Sequence, residues 1–198
     1  MFAFALWDRH EKRIHFARDR MGKKPLYIGW AGSALIFGSE LKALTVHPDF
    51  RKKIDRATLT AAGRFGYVPS PLCIFENVRS LPPGQTMTLD LDHLEMNEPL
   101  EPYMKPYWSH LDALRTARAA GCGEKLHIPE RFESLLQDCV AERLVSDVPL
   151  GAFLSGGIDS SLTVALMQKA SKSPVKTYSI GFHEKGYNEA AHAKKVAA

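Results

Sequence analysis

The chain has 198 residues, 45% hydrophobic and 24% charged, with a net charge of +4, which lies in the ordinary globular range and leaves room for one or two domains with a sizeable core. Residues 1–60 hold 12 basic against 6 acidic side chains while residues 61–198 hold 14 against 16, an asymmetry too weak to indicate nucleic-acid binding. No apolar run approaches the roughly 20 residues that a membrane helix needs, and Met1-Phe2-Ala3-Phe4 lacks the basic leader of a signal peptide. Three cysteines, Cys73, Cys122 and Cys139, form neither a disulfide framework nor a metal spacing, so reduced structural thiols in a cytoplasmic protein are expected.

In chain order, Phe2 to Trp7 is apolar throughout, as in a strand covered on both faces, and Asp8 to Arg13 reads as a polar hairpin connection. Strand-like runs follow at Ile14–Ala17, Leu26–Ile28 and Leu35–Phe37, with a turn at Ala31-Gly32-Ser33, which predicts an antiparallel meander. Glu40–Leu44 and Arg56–Phe65 read as short helices. Ser80-Leu81-Pro82-Pro83-Gly84 forces a turn before a last strand at Thr86–Leu89, and this first part closes near Trp108.

Residues 109–127 turn small and polar and are expected to be a linker between a first domain, 1–108, and a second, 128–198. Beyond it, Phe132, Leu135, Leu136, Cys139, Val140 and Leu144 recur at helical spacing behind Pro129, making Cys139 a candidate core residue. Val148–Leu154 then reads as a strand, Leu162 to Ala170 as a helix, Val175–Phe182 as a strand and Asn188–Ala198 as a helix. This alternation predicts an α/β part with a parallel sheet.

The junction Ser155-Gly156-Gly157-Ile158-Asp159-Ser160-Ser161 has the parts of a phosphate site. Adjacent glycines let a ligand approach the backbone, serines offer hydroxyls, and a helix start points free amides outward. It is neither a Walker A loop nor a Gly-x-Gly-x-x-Gly fingerprint. The simpler alternative is a tight turn in which Asp159 or Ser160 merely caps the helix.

The Ser-Gly-Gly-x-Asp-Ser string resembles the loop of the ATP pyrophosphatases. With Asp147–Leu154 before it and Tyr178–Phe182 and Tyr187-Asn188-Glu189 after it, the chain resembles glutamine-hydrolysing asparagine synthetases. In the front half the resemblance rests on Met1–Asp8, Arg18–Tyr27, Phe37–Leu44 and Leu81–Gly84. It implies an α+β first part, an incomplete Ntn-type glutaminase sandwich of two antiparallel sheets between helices. The second part is then an incomplete α/β, adenine nucleotide alpha-hydrolase-like domain with its PP-loop.

The resemblance further implies glutamine, aspartate and ATP as small-molecule substrates and Mg²⁺; no nucleic acid and no membrane are expected from charge and hydropathy, and a homodimer is one open assembly. The resemblance assigns the nucleotide to Leu154, Ser155, Gly156, Gly157, Ile158, Ser160, Ser161, Ile180 and Gly181, and catalysis and metal to Asp159. A related amidotransferase acting on a polysaccharide or peptide carboxylate, or a non-catalytic nucleotide-binding piece, are the alternatives. The family's N-terminal cysteine nucleophile and its Asn-Gly-Glu segment find no match here, since residue 2 is Phe and the first cysteine is Cys73. The expectation is an internal stretch of such an enzyme without glutaminase activity of its own. Arg18, Asp19, Arg20, Lys23 and Lys24 are expected to be a solvated or salt-bridged strand end, and Cys73, flanked by apolar residues, a packed thiol.

Overall fold

The computed structural model describes residues 1–121, 128–184 and 188–197. They form two units, Met1–Cys122 and Gly123–Ala198, each mixed α/β. Cys122 and Tyr187 lie outside the described residues.

The first unit holds β1 (Ala3–Asp8), β2 (Arg13–Arg18), β3 (Tyr27–Ala31), β4 (Ala34–Gly38), α1 (Leu41–Leu44), α2 (Arg56–Phe65), β5 (Val78–Ser80), β6 (Gln85–Asp90), β7 (Met104–Pro106) and α3 (His110–Ala119). The expected single meander is not what forms. One antiparallel sheet runs β1-β2-β6-β7 and another β4-β3-β5, so β2 and β3, consecutive in the chain, belong to different sheets. Between them lies one core: Ile14 and Phe16 from β2, Met87 and Leu89 from β6, Ile28 and Trp30 from β3, closed by Leu26, Leu81 and Leu100. Burying two inner faces against each other satisfies more apolar surface than one flat sheet does.

The connection between the sheets explains the basic run. Arg18 and Asp19 are buried and hydrogen-bonded to backbone, in place of the expected solvated or salt-bridged strand end. The Arg18 guanidinium donates to the carbonyl oxygens of Lys24 (2.9 Å), Leu81 (2.7 Å) and Gly22 (2.9 Å) and to Ser80 Oγ (3.2 Å). The Asp19 carboxylate accepts from the amides of Met21, Lys23 and Lys24 at 3.0–3.1 Å. A buried charge is tolerated when its polar valence is filled in this way. The pair therefore folds the corner that carries the chain from one sheet to the other.

β1 also departs from expectation. Its period-two alternation turns the small Ala3 and Ala5 toward the core and leaves Phe4, Leu6 and Trp7 exposed, so it is covered on one face only among the described residues. α2 follows its sequence signals: the Asp55 side chain accepts from the Thr58 amide, and Gly66 closes the helix at φ 75°. The expected linker 109–127 carries α3, whose first turn is capped by Ser109 Oγ accepting from the Asp112 amide at 3.3 Å. Cys73 is buried as expected.

The second unit holds α4 (Ile128–Ala141), β8 (Gly151–Phe153), α5 (Ile158–Ala170), β9 (Lys176–Tyr178) and α6 (Ala190–Ala197). β8 and β9 pair in parallel, Gly151 with Lys176 through Phe153 with Tyr178, as the alternating pattern predicts. The expected strand over 175–182 is shorter, Lys176–Tyr178, and Ser179 meets Leu154 through its hydroxyl instead of extending the backbone ladder. α4 packs on α5, tied by the Lys169–Glu133 pair at 3.0 Å. Its apolar stripe is less buried than its spacing suggests: Phe132 and Leu135 are 59% and 63% exposed, and Cys139 is half-buried instead of a core residue. Periodicity marks an apolar face but not whether a neighbour covers it. The small core here is Leu154, Val164 and Ala193 with Ala152.

Candidate nucleotide loop

At the end of β8 the chain passes through Leu154, which is 2% exposed and anchors the loop in the core of the second unit. Across the strand pair, the Leu154 amide donates to Tyr178 O at 2.8 Å, and Ser179 Oγ donates to Leu154 O at 2.6 Å. The C-terminal end of the parallel pair is thereby locked where the loop begins.

Gly156 adopts φ 84°, in the left-handed region. A Cβ there would lie 2.7 Å from Ala193 N and 2.7 Å from His192 Cβ, so the loop presses directly on α6. Gly157, extended at φ −73° and ψ 165°, precedes α5 with no side-chain cap.

Hydroxyls brace the turn. Ser155 Oγ and Ser160 Oγ are 2.9 Å apart, Ser160 Oγ lies 3.2 Å from Gly157 O, and the Ser155 amide lies 3.3 Å from Ser160 Oγ. One consistent assignment has Ser155 donating to Ser160 and Ser160 donating to Gly157 O. The alternative of a helix cap does not match this geometry: Ser160 accepts from Ser155, outside the helix, and Asp159 offers only its backbone oxygen, to Thr163 Oγ1 at 2.9 Å. The first amides of α5 consequently keep their donors free, at the positive end of the helix dipole.

The predicted residues are placed unevenly. Ser155, Gly156, Gly157, Ile158, Asp159, Ser160 and Ser161 are brought together by one turn, with Asp159 exposed and Ile158 86% exposed beside it. A cavity of about 250 Å³ adjoins the loop, lined among others by Leu154, Ser155, Tyr178, Ile180, Phe182 and Glu189. Leu154 and Ile180 thus meet in one wall. Gly181 does not line this cavity; an added Cβ there would meet Ala190 Cβ and Asn188 Oδ1, both at 3.8 Å.

Sequence reasoning passed over Ser179, Phe182 and the contact of His192 and Ala193 with Gly156. The second glycine-like demand in Ser-Gly-Gly is for room against α6, and nothing near residue 156 in sequence reveals a helix more than thirty positions later.

Among the described residues no group of three or more His, Cys, Asp or Glu is gathered for a metal, and no helix is long and apolar enough to cross a membrane. In the first unit, burial pushes the Cys73 thiol up, against smaller lowering by the amides of Phe75 and Ile74 and by Arg79. It is a poor nucleophile.

A family model described as a glutamine amidotransferase domain matches residues 1–108, and one described as asparagine synthase matches residues 131–198. Together they define a glutamine amidotransferase unit followed by a synthase unit. The chain belongs to the asparagine synthetase family. It is 36% identical over 196 residues to asparagine synthetase [glutamine-hydrolyzing] 3 of Bacillus subtilis, covering 93% of this chain and 28% of that protein. To the putative asparagine synthetase [glutamine-hydrolyzing] 2 of Methanocaldococcus jannaschii it is 36% identical over 199 residues, covering 99% of this chain and 36% of that one. Amidase chry2 of Gibberella zeae is 29% identical over 215 residues, with 99% and 29% covered. The chain thus spans 28% and 36% of the length of the first two relatives.

Proposed function

We propose that this chain is part of a glutamine-dependent asparagine synthetase, in which ATP adenylates the aspartate side-chain carboxylate and glutamine-derived ammonia displaces AMP to give the amide. Residues 1–108 are read as the later part of an Ntn-type glutaminase sandwich, residues 109–127 as the connection, and residues 128–198 as the first part of a PP-loop ATP pyrophosphatase domain. The observation that carries this reading is the loop itself. Gly156 at φ 84° and the uncapped start of α5 present backbone amides to an anion, beside an apolar cavity.

Ser155, Gly156, Gly157, Ile158, Ser160 and Ser161 hold the phosphates by amides and hydroxyls, and Leu154 and Ile180 flank the base, whereas Gly181, which does not line the cavity, is not assigned to it. The exposed Asp159 carboxylate fits Mg²⁺, which takes one or two carboxylates and completes its shell with phosphate oxygens and water, so a larger acidic cluster is not required. When bound, the ion supplies charge neutralisation on the leaving pyrophosphate. The protein's own part is electrostatic: amides already aimed at the place where negative charge builds as the P–O bond breaks. Glutamine, aspartate and ATP are the substrates, with a cytoplasmic homodimer as the setting.

The test is pyrophosphate release from ATP in the presence of aspartate and ammonia, on the enzyme that carries this chain. Asp159→Asn lowers turnover by roughly 10²-fold, the scale for one preorganised electrostatic group. Near-wild-type release would reduce Asp159 to a surface residue of a helix end.

A further inference from the structure

We propose that Glu189 recognises the ribose of the nucleotide and sets the preference for ribo- over 2′-deoxyribonucleotides; this deepens, and rests on, the reading of the loop as a nucleotide site. The cavity beside the loop is walled by aromatic and aliphatic side chains, including Tyr178, Ile180 and Phe182, and Glu189 is the one carboxylate residue among the described residues of its lining.

Position follows from α6. His192 and Ala193 press on Gly156, and their amides both donate to Glu189 O at 3.0 Å. Glu189 therefore sits one turn ahead of the point where α6 touches the phosphate loop. The capping of α6 falls to its neighbour, since Asn188 Oδ1 accepts from the Ala190 amide at 3.2 Å. Glu189 contributes its carbonyl to the helix, and its carboxylate is not needed for the cap.

Chemistry selects the partner. With phosphates on the loop and base on the apolar wall, the sugar lies between them. A carboxylate repels phosphate and gains nothing from an aliphatic wall, whereas vicinal hydroxyls are two donors that a carboxylate accepts with both oxygens. The acidic residue that reads the ribose 2′-hydroxyl in dinucleotide folds uses the same pairing. Charge-assisted bonds of this kind are the strong ones.

The experiment is calorimetric titration of the enzyme that carries this chain with Mg-ATP and with Mg-2′-deoxyATP. Wild-type protein is expected to bind the ribonucleotide about ten-fold more tightly, the worth of one hydrogen bond to a charged group. Glu189→Ala is expected to bring that ratio close to one, and Glu189→Gln, which keeps the size and one acceptor oxygen, to leave it in between. A purely structural role at the start of α6 would weaken both nucleotides equally and keep the ratio. An unchanged ratio in both variants, or equal binding of the two nucleotides by wild type, overturns the assignment while leaving the nucleotide loop standing. Absence of any Mg-ATP binding by wild type overturns the loop reading and this assignment with it.

Discussion

Replacing Gly156 by alanine tests the coupling between the loop and α6. The residue sits at φ 84°, where an L side chain costs about 1–2 kcal/mol. The new methyl would also lie 2.7 Å from Ala193 N and His192 Cβ and 2.8 Å from His192 C. Two of these three atoms are backbone, so relief requires α6 to move bodily, an overpacking cost of about 1–3 kcal/mol. The sum, about 2–5 kcal/mol, is a large share of the stability of any domain of this size.

Amide hydrogen exchange in α5 and α6 reads this directly, and protection should fall by tens-fold to thousands-fold at about 1.4 kcal/mol per decade. The neighbouring Gly157 is the control. It is extended, a Cβ there meets only Ser155 Oγ at 3.5 Å, and Gly157→Ser installs a favoured cap residue, so protection should hold or rise slightly. Equal protection in Gly156→Ala and wild type would refute the claim that this glycine is required by the close approach of α6.

Arg18→Met should destabilise the first unit by about 3–5 kcal/mol, the cost of breaking a buried charged network and stranding its partners, here three carbonyls and Ser80 Oγ. Urea denaturation followed by tryptophan fluorescence measures it, and a loss under about 1 kcal/mol, typical of an exposed pair, would contradict the buried corner. Acid stability should depend on Asp19. Burial pushes its carboxyl up, but the amides of Lys24, Lys23 and Met21 outweigh this and hold it below its ordinary value. Its contribution is therefore complete above the unfolded pKa of about 3.9 and is lost as pH falls through the lower folded value. Asp19→Asn should flatten the acid limb of the stability curve in that window, and an unchanged limb would refute the shift.

Much of the chain's local structure was legible from residue order, because the signals are short-range. Asp55 and Gly66 bracket α2 by capping chemistry, the period-two run of β2 and β6 marks strands, and Ser155–Ser161 announces a strand-to-helix turn by its glycines and hydroxyls. The family resemblance rested on the same short strings. β5 and β7 were missed because each is three residues long, and β7 ends in proline at a sheet edge, where propensity says nothing.

What only the tertiary structure decided is who lies against whom. The family resemblance implied two sheets, but where the chain passes between them is decided at the corner of Arg18 and Asp19, whose charged side chains look solvated or salt-bridged in sequence and are buried because six backbone groups and one hydroxyl fill their hydrogen-bonding capacity. Whether an apolar stripe is core depends on a covering neighbour, present for β2 and missing in part for α4. At the candidate site, sequence names the loop, while the fold alone brings Ile180, Glu189 and the His192–Ala193 backbone to it. Those contacts join residues far apart in the chain, and pairwise packing at that distance leaves no mark in the local pattern.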